Sequence, residues 1–506
     1  MSLTVFLIIL LILAVVSTLI FGRNIESWRN KTMSFIQFFL GYLFIVSGTV
    51  KAIDPLGTSY KMEEYFQEFQ SLFDSTWLSF LTPFFHLLEN YALGIGIVMI
   101  IAEMILGIML IIGFRPKLTA WLYFWLMLFF TVLTGYTYLT GYVPQGVNFF
   151  NFSQWGEFAE SNMKVTDCGC FGDFIKITAY HTFLKNIFFI IPIIYMLFRY
   201  KDMHQLFNKT LRHIIVFASI VLIYIFNLAN YSWDVPMVDF RPFKEGANIR
   251  EQLKLETDAA LNVKEKSIVL QNKEDKRIID IPSEQYYKTA EQYPTEKWTI
   301  KDRIFEEPSI PTTEISDMAF EDFDGNDFTE EILNNSNYSL MIVSWKMNGD
   351  PEEYKYTKKD TVFSIDTIFL ADTIFVEDTP YVNKDSFKIE KNIQQINDIE
   401  MTGYNYIWDG KYLKSFIKYI NPLVEAAKKN NVNIFAVVSG TQEMVDDFVK
   451  DGGPNVKYYN SDDITLKTII RSNPGVVLMH DGVIVKKWHY KKLPSFDEIQ
   501  HNYIKN

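Results

Sequence analysis

Residues 92–113 read ALGIGIVMIIAEMILGIMLIIG, and this stretch decides the class of fold. As a helix it is long enough to cross the roughly 30 Å of hydrocarbon in a bilayer, and Glu103 is its single charged residue. Five further apolar runs, some short for a span, lie at 1–21, 33–50, 118–139, 183–198 and 214–229. The sequence therefore predicts an α-helical bundle of six transmembrane spans. The first run lacks the basic start and the cleavage site of a signal peptide, so we interpret it as a helix.

Charge divides the chain into two halves. Residues 1–235 contain 14 basic and 14 acidic residues, whereas residues 236–506 contain 34 basic and 46 acidic residues and carry the whole net charge of −12. The second half thus has the charge density of a water-soluble domain. Its acidic balance argues against nucleic acid as a partner, because phosphate binding needs clustered Lys and Arg.

Basic residues in the short loops predict the orientation, because such residues near helix ends stay in the cytoplasm. Loops 23–32, 114–117 and 199–213 contain nine of them: Arg23, Arg29, Lys31, Arg115, Lys117, Arg199, Lys201, Lys209 and Arg212. Loops 52–89 and 140–182 are predominantly acidic and are predicted to face outward. We therefore expect a bacterial inner-membrane protein whose N-terminus and soluble half lie in the periplasm, with membrane lipid as one partner.

Both cysteines of the chain, Cys168 and Cys170, lie in the outward loop 140–182, where the environment is oxidising. In an extended chain their Cα atoms are about 6.5–7 Å apart, at the outer limit for a disulfide, and Gly169 permits a tighter turn. A structural staple across so short a loop contributes only about 1.6 kcal/mol, which strain would offset. We favour a redox-active pair over a staple, because a strained, exposed disulfide accepts electrons readily.

A metal site at these cysteines is less favoured. Two thiolates need two further ligands, and the nearest candidates on the outer side make no recognised zinc spacing. Those candidates are Asp167, Asp173 and His181.

Glu103 is a candidate functional residue because a carboxylate inside a span is protonated, paired or facing a polar cavity. A proton-coupled quinone site and a hydrogen-bonded packing role explain it equally well. Lys51 ends its span, and we expect it to extend to the outer surface at a depth too different from that of Glu103 for contact. Nearer partners for Glu103 are expected among Ser47, Thr49, Thr131, Thr134 and Tyr138.

Three strings, FIVSGTVKAIDP (44–55), AEMILG (102–107) and DCGCFGD (167–173), resemble the DoxX and MauE-related family of four-helix membrane proteins over about residues 33–200. The resemblance implies quinone-coupled or thiol-linked electron transfer and the maturation of disulfide-containing partners. It implies three groups of site residues: a redox pair at Cys168 and Cys170, a possible quinone or proton site at Glu103, Lys51, Ser47 and Asp54, and motif support from Asp167, Gly169, Gly172 and Asp173.

The order of elements from residue 315 onward resembles the α/β thioredoxin-like fold. The predicted elements are strand 338–345, helix 411–430, strand 432–439, helix 462–471, a cis bond at Asn473–Pro474 and a hairpin around Asp481 and Gly482. The position expected to hold Cys-x-x-Cys reads KMNGD (346–350). A domain without thiols there performs no thiol exchange, so a binding or structural module is predicted.

The sequence predicts four regions. They are an extra N-terminal helix and cytoplasmic loop (1–32), the DoxX/MauE-like bundle (33–232), a strap with an irregular linker or small β-meander (233–314), and the thioredoxin-like domain (315–506) with an insertion near 350–410. The insertion contains a period-six repeat at 360–383, which as one strand would be about 80 Å long and must therefore bend or pair with itself. Its apolar edges predict a protein partner in the periplasm or inner membrane, docked over the bundle mouth.

Two functions compete. In the favoured one, Cys168 and Cys170 pass electrons between periplasmic thiols and a membrane acceptor such as a quinone, in support of periplasmic proteins. In the alternative, the chain is a non-catalytic, membrane-anchored subunit or scaffold of an envelope complex, with the thioredoxin-like domain as its protein-binding module.

Overall fold

A computed structural model of the protein describes residues 3–22, 30–165, 169, 171–175, 177–376 and 379–504, with the backbone alone at 358, 360–397 and 399. The described residues of the first half form eight α-helices: α1 (Leu3–Gly22), α2 (Lys31–Ile53), α3 (Pro55–Asp74), α4 (Thr82–Asn90), α5 (Ala92–Ile112), α6 (Pro116–Thr140), α7 (Ala179–Arg199) and α8 (Lys209–Leu228). Within this described part, all except α3 and α4 are long and apolar enough to cross a membrane. The prediction of six apolar spans is confirmed.

Helices α2 and α5 pack closely because glycines lie where they cross. A Cβ atom added to Gly107 would lie 2.8 Å from the carbonyl oxygen of Gly41, and one added to Gly41 would lie 2.6 Å from the Ile111 side chain. Small residues let transmembrane helices approach each other and gain van der Waals contact, since lipid supplies no hydrophobic driving force between them. The α2–α5 pair therefore fixes the relative height of the side chains on the two helices.

The segment between α2 and α5 contains the helix α3. Pro55 occupies its first turn, and the Asp54 carboxylate accepts a hydrogen bond from the Gly57 N–H, so the helix has both a favoured first residue and a side-chain cap. Its apolar face buries Met62 and Tyr65 against the bundle. The cap residue is thus held at the end of the bundle where α2 meets α3.

Residues 233–314 form helices and a small sheet, where the sequence predicts an irregular linker or a small β-meander. They contain α9 (Ile249–Leu261), β1 (Glu265–Asn272), β2 (Ile278–Pro282), α10 (Ser283–Thr289) and β3 (Trp298–Phe305). The three strands form an antiparallel sheet in the order β2-β1-β3, which differs from the sequential order of a meander. Helix α9 has a side-chain cap, because the Asn248 amide oxygen accepts a hydrogen bond from the Glu251 N–H.

The remaining chain forms an α/β unit around a mixed five-stranded sheet. Its elements are α11 (Thr329–Leu333), β4 (Ser339–Ser344), β5 (Gly349–Val376), β6 (Thr379–Trp408), α12 (Gly410–Ser415), α13 (Asn421–Lys429), β7 (Asn433–Val438), α14 (Gln442–Lys450), β8 (Lys457–Asn460), α15 (Asp463–Ile469), β9 (Gly475–His480), β10 (Val483–His489) and α16 (Phe496–Asn502). The sheet order is β10-β9-β4-β7-β8, with β4, β7 and β8 parallel and β9 and β10 antiparallel. Every residue of β4 is buried, as expected for a central strand.

Two local predictions in this unit are confirmed. The Asn473–Pro474 peptide bond is cis. Asp481 and Gly482 join β9 to β10 with φ angles of 49° and 75°, the positive values that a two-residue hairpin turn requires.

The repeat region forms a two-stranded ribbon between β4 and α12. Strands β5 and β6 pair antiparallel from Gly349 opposite Trp408 to Val376 opposite Thr379. At the base of the ribbon the Asp409 N–H donates a hydrogen bond of 2.9 Å to the Asn348 carbonyl oxygen. The repeat therefore turns back on itself at its end: residues 372–376 pair with 379–383, whereas residues 360–370 pair with 386–397, which follow the repeat.

Candidate functional site

A cavity of about 330 Å³ lies between the α3 end of the bundle and the α/β unit. Five parts of the chain line it: the α2–α3 junction with α3, the loop that contains the two cysteines in sequence, the strap before α9, the segment at Glu314, and α15 with the residues after it. Asp54, Gly169 and Arg471 are among the lining residues. The cavity is therefore assembled from both halves of the protein.

The two halves are joined at this cavity by an ion pair. The Arg471 Nε donates to both Asp54 carboxylate oxygens, at 3.0 and 2.9 Å, and the Nη2 lies 2.9 Å from Oδ2. The side chains are 7% and 18% exposed, respectively. Burial acts to raise the pKa of Asp54, but the positive charges of Arg471 and Arg241 outweigh it and hold this pKa below its usual 3.8.

Aromatic contacts extend this junction. The rings of Tyr60 on α3 and Trp345 after β4 meet edge to face, with centroids 5.7 Å apart. The Lys467 ammonium lies 4.8 Å from the Tyr60 centroid and 5.6 Å from that of Trp345, and the Arg471 guanidinium lies 5.2 Å from Tyr60. Burial raises the pKa of the Tyr60 phenol. The end of β4 thus rests on the membrane half.

The loop around Pro474 lies beside the segment that follows β4. The Asn473 Nδ2 donates to the Lys346 carbonyl oxygen at 2.7 Å, and the Ser344 hydroxyl donates to Asn473 Oδ1 at 2.8 Å. Because Arg471 precedes this loop in sequence, the cis peptide, the end of β4 and the Asp54 ion pair form one continuous face.

The cysteine motif is only partly described. Cys168, Cys170 and Asp167 lie outside the described residues, whereas Gly169, Gly172 and Asp173 line the cavity. Gly169 and Gly172 have φ angles of 57° and 49°, a left-handed conformation that favours glycine. Phe171 is 2% exposed and packs edge to face on Phe6 of α1, with the ring centroids 5.2 Å apart. These contacts attach the motif to the bundle.

Lys51 and Glu103 contact each other directly, so the expected difference in depth was wrong. The Lys51 Nζ lies 2.6 Å from Glu103 Oε2, and the side chains are 8% and 4% exposed. Lys51 therefore does not extend to the membrane surface. Its ammonium also lies 5.2 Å from the Phe130 ring centroid.

The offset between α2 and α5 explains this correction. Gly48 of α2 lies against Met104 of α5, while Gly96, two turns earlier in α5, packs against Ser59 of α3. The first turns of α5 therefore extend beyond the outer end of α2, and Glu103 is level with Lys51. The apolar runs of α2 and α5 end at different depths. The number of residues between each side chain and the end of its run therefore does not give the relative depth of Lys51 and Glu103.

The other expected partners of Glu103 bond elsewhere. Thr49, Thr131 and Thr134 donate to carbonyl oxygens of their own helices, and the Tyr138 hydroxyl bonds that of Tyr142. Ser47 is buried on α2, and it lines neither the 330 Å³ cavity nor the smaller cavity beside the Lys51–Glu103 pair.

A second, smaller cavity of about 30 Å³ adjoins the Lys51–Glu103 pair. Gly169 and Lys51 line both this cavity and the larger one. The smaller cavity has room for one or two water molecules, because a water needs roughly 10–15 Å³ of such space. The smaller cavity does not fit the ring of a quinone, whereas the larger cavity, which Lys51 and Asp54 also line, has more room.

A buried charge cluster that sequence reasoning missed holds the strap against the α/β unit. Arg241 donates to Asp239 at 2.7 Å, and the Lys487 ammonium contacts Asp239 and donates to the carbonyl oxygens of Phe243 and Ile469, each at 2.9 Å. Burial and the charge of Arg241 lower the pKa of Lys487 to about 8 against the opposing charge of Asp239. No local sequence pattern predicts this cluster, because Asp239 and Lys487 are 248 positions apart.

Comparison with known proteins bears on the membrane half. Residues 29–145 match the family described as methylamine utilisation protein MauE, a range that includes α2 to α6 and therefore Lys51, Asp54 and Glu103. The match ends before the cysteine motif. No curated protein and no solved structure matches the chain. Over residues 29–145, this membrane protein is MauE-like, and this range includes two of the three strings on which the resemblance rests, 44–55 and 102–107.

Proposed function

We propose that this protein is an inner-membrane thiol oxidoreductase whose Cys168/Cys170 pair exchanges disulfides with thiols outside the cytoplasm. The observation that carries the proposal is the position of Gly169, the residue between the two cysteines in sequence. It lines both the 330 Å³ cavity between the two halves and the small cavity beside Lys51 and Glu103. A thiol pair in this loop would meet a substrate on one side and a buried ion pair on the other.

The proposed exchange transfers two electrons from a pair of substrate thiols to the Cys168–Cys170 disulfide. A substrate thiolate attacks one sulfur of the Cys168–Cys170 disulfide, the sulfur–sulfur bond breaks, and the other cysteine leaves as a thiolate. The second substrate thiolate then attacks the mixed disulfide, so the substrate gains a disulfide and the pair receives two electrons. Two protons from the substrate thiols restore both cysteine thiols. The pair is reoxidised by the same steps in reverse with a second disulfide.

Lys51 and Glu103 are proposed to hold protons for this exchange. Their ion pair is buried, yet it adjoins a cavity with room for water that Gly169 also lines. Water in this cavity would form hydrogen bonds to Glu103, and through it a proton from a thiol would reach the carboxylate.

The α/β unit is proposed to be a thioredoxin-like domain that acts by binding. Its parallel strands β4 and β7, its antiparallel β9 and β10, and its cis Pro474 beside Lys346 support this fold. Both cysteines of the chain lie outside it. Its face at Trp345 and Arg471 contacts α3 of the same chain, so the domain itself covers the bundle mouth where a separate partner was expected.

The family description "methylamine utilisation" comes from the match over residues 29–145. For this chain we take from it a role in supporting partner proteins of such a system, with disulfide exchange as the chemistry.

Thiol alkylation in isolated membranes tests the redox proposal. Because the chain has only two cysteines, a maleimide of high mass should add twice after treatment with a reductant and not at all after treatment with a mild disulfide oxidant. In the matched Cys168→Ser variant, one addition is expected under both conditions, since no intramolecular disulfide forms. Two additions regardless of oxidant would contradict the proposal and favour the non-catalytic scaffold.

We further propose that the α/β unit and the cysteine loop lie outside the cytoplasm. The loops 114–117 and 199–213 meet at one end of the bundle, where the Leu206 N–H donates to the Ile112 carbonyl oxygen at 3.0 Å, and they contain six basic residues. The Asp54–Arg471 contact lies at the other end. A C-terminal reporter that is fluorescent only in the cytoplasm should therefore remain dark, whereas the same reporter fused after Lys117 should be bright. The reverse pattern would refute this orientation.

A further inference from the structure

A third cavity, of about 800 Å³, lies at the end of the bundle opposite the α/β unit. It is formed by the start of α6 and the segment that follows α7. Three cations line it, Arg115, Lys117 and Lys201, and among the residues that the structure describes no carboxylate belongs to its lining. Bringing three like charges to one concave surface costs free energy unless an anion occupies it.

These cations are available to a ligand. All three residues are exposed, and within the described part of the chain none of them forms an ion pair. The nearby Asp202 is already bonded to Arg199, whose Nε lies 2.7 Å from it. The charge of the cavity is therefore not neutralised from within this part of the protein.

Apart from the amide side chain of Gln205, the remainder of the lining is apolar or aromatic. Leu118 and Trp121 lie on α6 and are 42% and 45% exposed, and Tyr200 lies across the cavity from α6 at the end of α7. A ligand that fits this surface has an anionic head and an apolar tail. Aromatic residues of this kind mark the level of lipid headgroups, so the cavity lies at the membrane interface.

Backbone geometry adds an independent observation. Arg115 has a φ angle of 38°, in the left-handed region that residues other than glycine rarely adopt. It immediately precedes Pro116, the first residue of α6, so this conformation sets the direction of the side chain relative to the helix. Such strained positions cluster at ligand-binding sites.

We propose that this cavity binds an anionic phospholipid. Its phosphate would lie among Arg115, Lys117 and Lys201, and an acyl chain would follow Leu118 and Trp121. Basic pockets between transmembrane helices recognise lipid phosphates in this way. The inference concerns the opposite end of the bundle and stands apart from the thiol chemistry.

The full chain, purified in mild detergent, tests this site by titration with phosphatidylglycerol and with phosphatidylcholine of the same acyl chains. Phosphatidylglycerol should bind more tightly, and Lys201→Gln should weaken it about fivefold, with a similar factor for each further change at Arg115 and Lys117. The matched control is Lys209→Gln, an exposed lysine at the same end that does not line the cavity.

Three results would overturn the assignment: equal affinity for the two lipids, equal weakening by Lys209→Gln, or displacement of the lipid by inorganic phosphate at the same concentration. The last result would indicate a site for a soluble anion. If the triple variant does not fold, the single change at the exposed Lys201 gives the same answer.

Discussion

Replacing Lys51 by methionine should lower the apparent free energy of unfolding by about 3–5 kcal/mol, because it leaves the Glu103 carboxylate buried without its partner. Chemical unfolding of the protein in detergent measures this change. The double variant Lys51→Met/Glu103→Leu should recover most of the loss, since replacing both ions by apolar groups also removes the cost of burying charge.

Lys61→Met is the matched control for this prediction. Lys61 pairs with Glu64 on α3 at 2.9 Å, but the pair is partly exposed, and such pairs contribute less than about 1 kcal/mol. If Lys51→Met and Lys61→Met destabilise the protein equally, then the Lys51–Glu103 contact is not a buried ion pair. A thiol exchange rate that falls in Glu103→Gln while the fold is retained would support the proton-holding role.

Arg471→Met should have a comparably large effect, and one with a distinct signature. It leaves Asp54 partly buried at the junction of the two halves, at an expected cost of about 3–5 kcal/mol. Because the same guanidinium contacts Tyr60, the α/β unit should also separate from α3. Hydrogen exchange at 55–74 should therefore accelerate in the variant, while exchange in β4 and β7 should stay slow.

Arg250→Met controls for the loss of an arginine. Arg250 of α9 pairs with Asp481 of the α/β unit, both side chains are exposed, and neither contacts α3, so exchange in α3 should not change. Acceleration in α3 by both variants would mean that the Asp54–Arg471 contact does not hold the halves together.

The loss of stability caused by Arg471→Met should also depend on pH. The pKa of Asp54 is below its usual 3.8 in the folded protein, so the ion pair contributes fully above pH 3.8. Its contribution is lost as the pH falls from 3.8 toward the folded-state pKa. The difference in stability between the natural chain and Arg471→Met should accordingly be constant near neutral pH and shrink in acid.

Much of the architecture was predictable because its signals are local. A long apolar run such as 92–113 specifies a span by itself, and the Asp-Gly turn at 481–482 specifies a hairpin by its dihedral angles. The start of helix α3 is also encoded locally, because Asp54 is a side-chain cap and Pro55 is a helix-starting proline.

The candidate site was less predictable because its contacts are distant in sequence. Asp54 was selected from its motif, but its partner Arg471 lies 417 positions away and belongs to no motif. Lys51 and Glu103 were both selected, yet their contact depends on the offset of α2 and α5, which the glycine crossing sets and hydropathy does not report. The small cavity beside the two side chains, which is too small for a quinone ring, depends on the same packing of α2 and α5.

The ribbon of β5 and β6 has a consequence of scale. Strand β5 has 28 residues and, if straight, extends about 90 Å, whereas a globular domain of this size has a radius of gyration of roughly 15 Å. If the ribbon is straight, the end at which Val376 pairs with Thr379 lies well beyond the body of the domain, while the base at Asn348 and Asp409 is hydrogen bonded beside it. A protein bound at that end would be held near the membrane at an elevated local concentration.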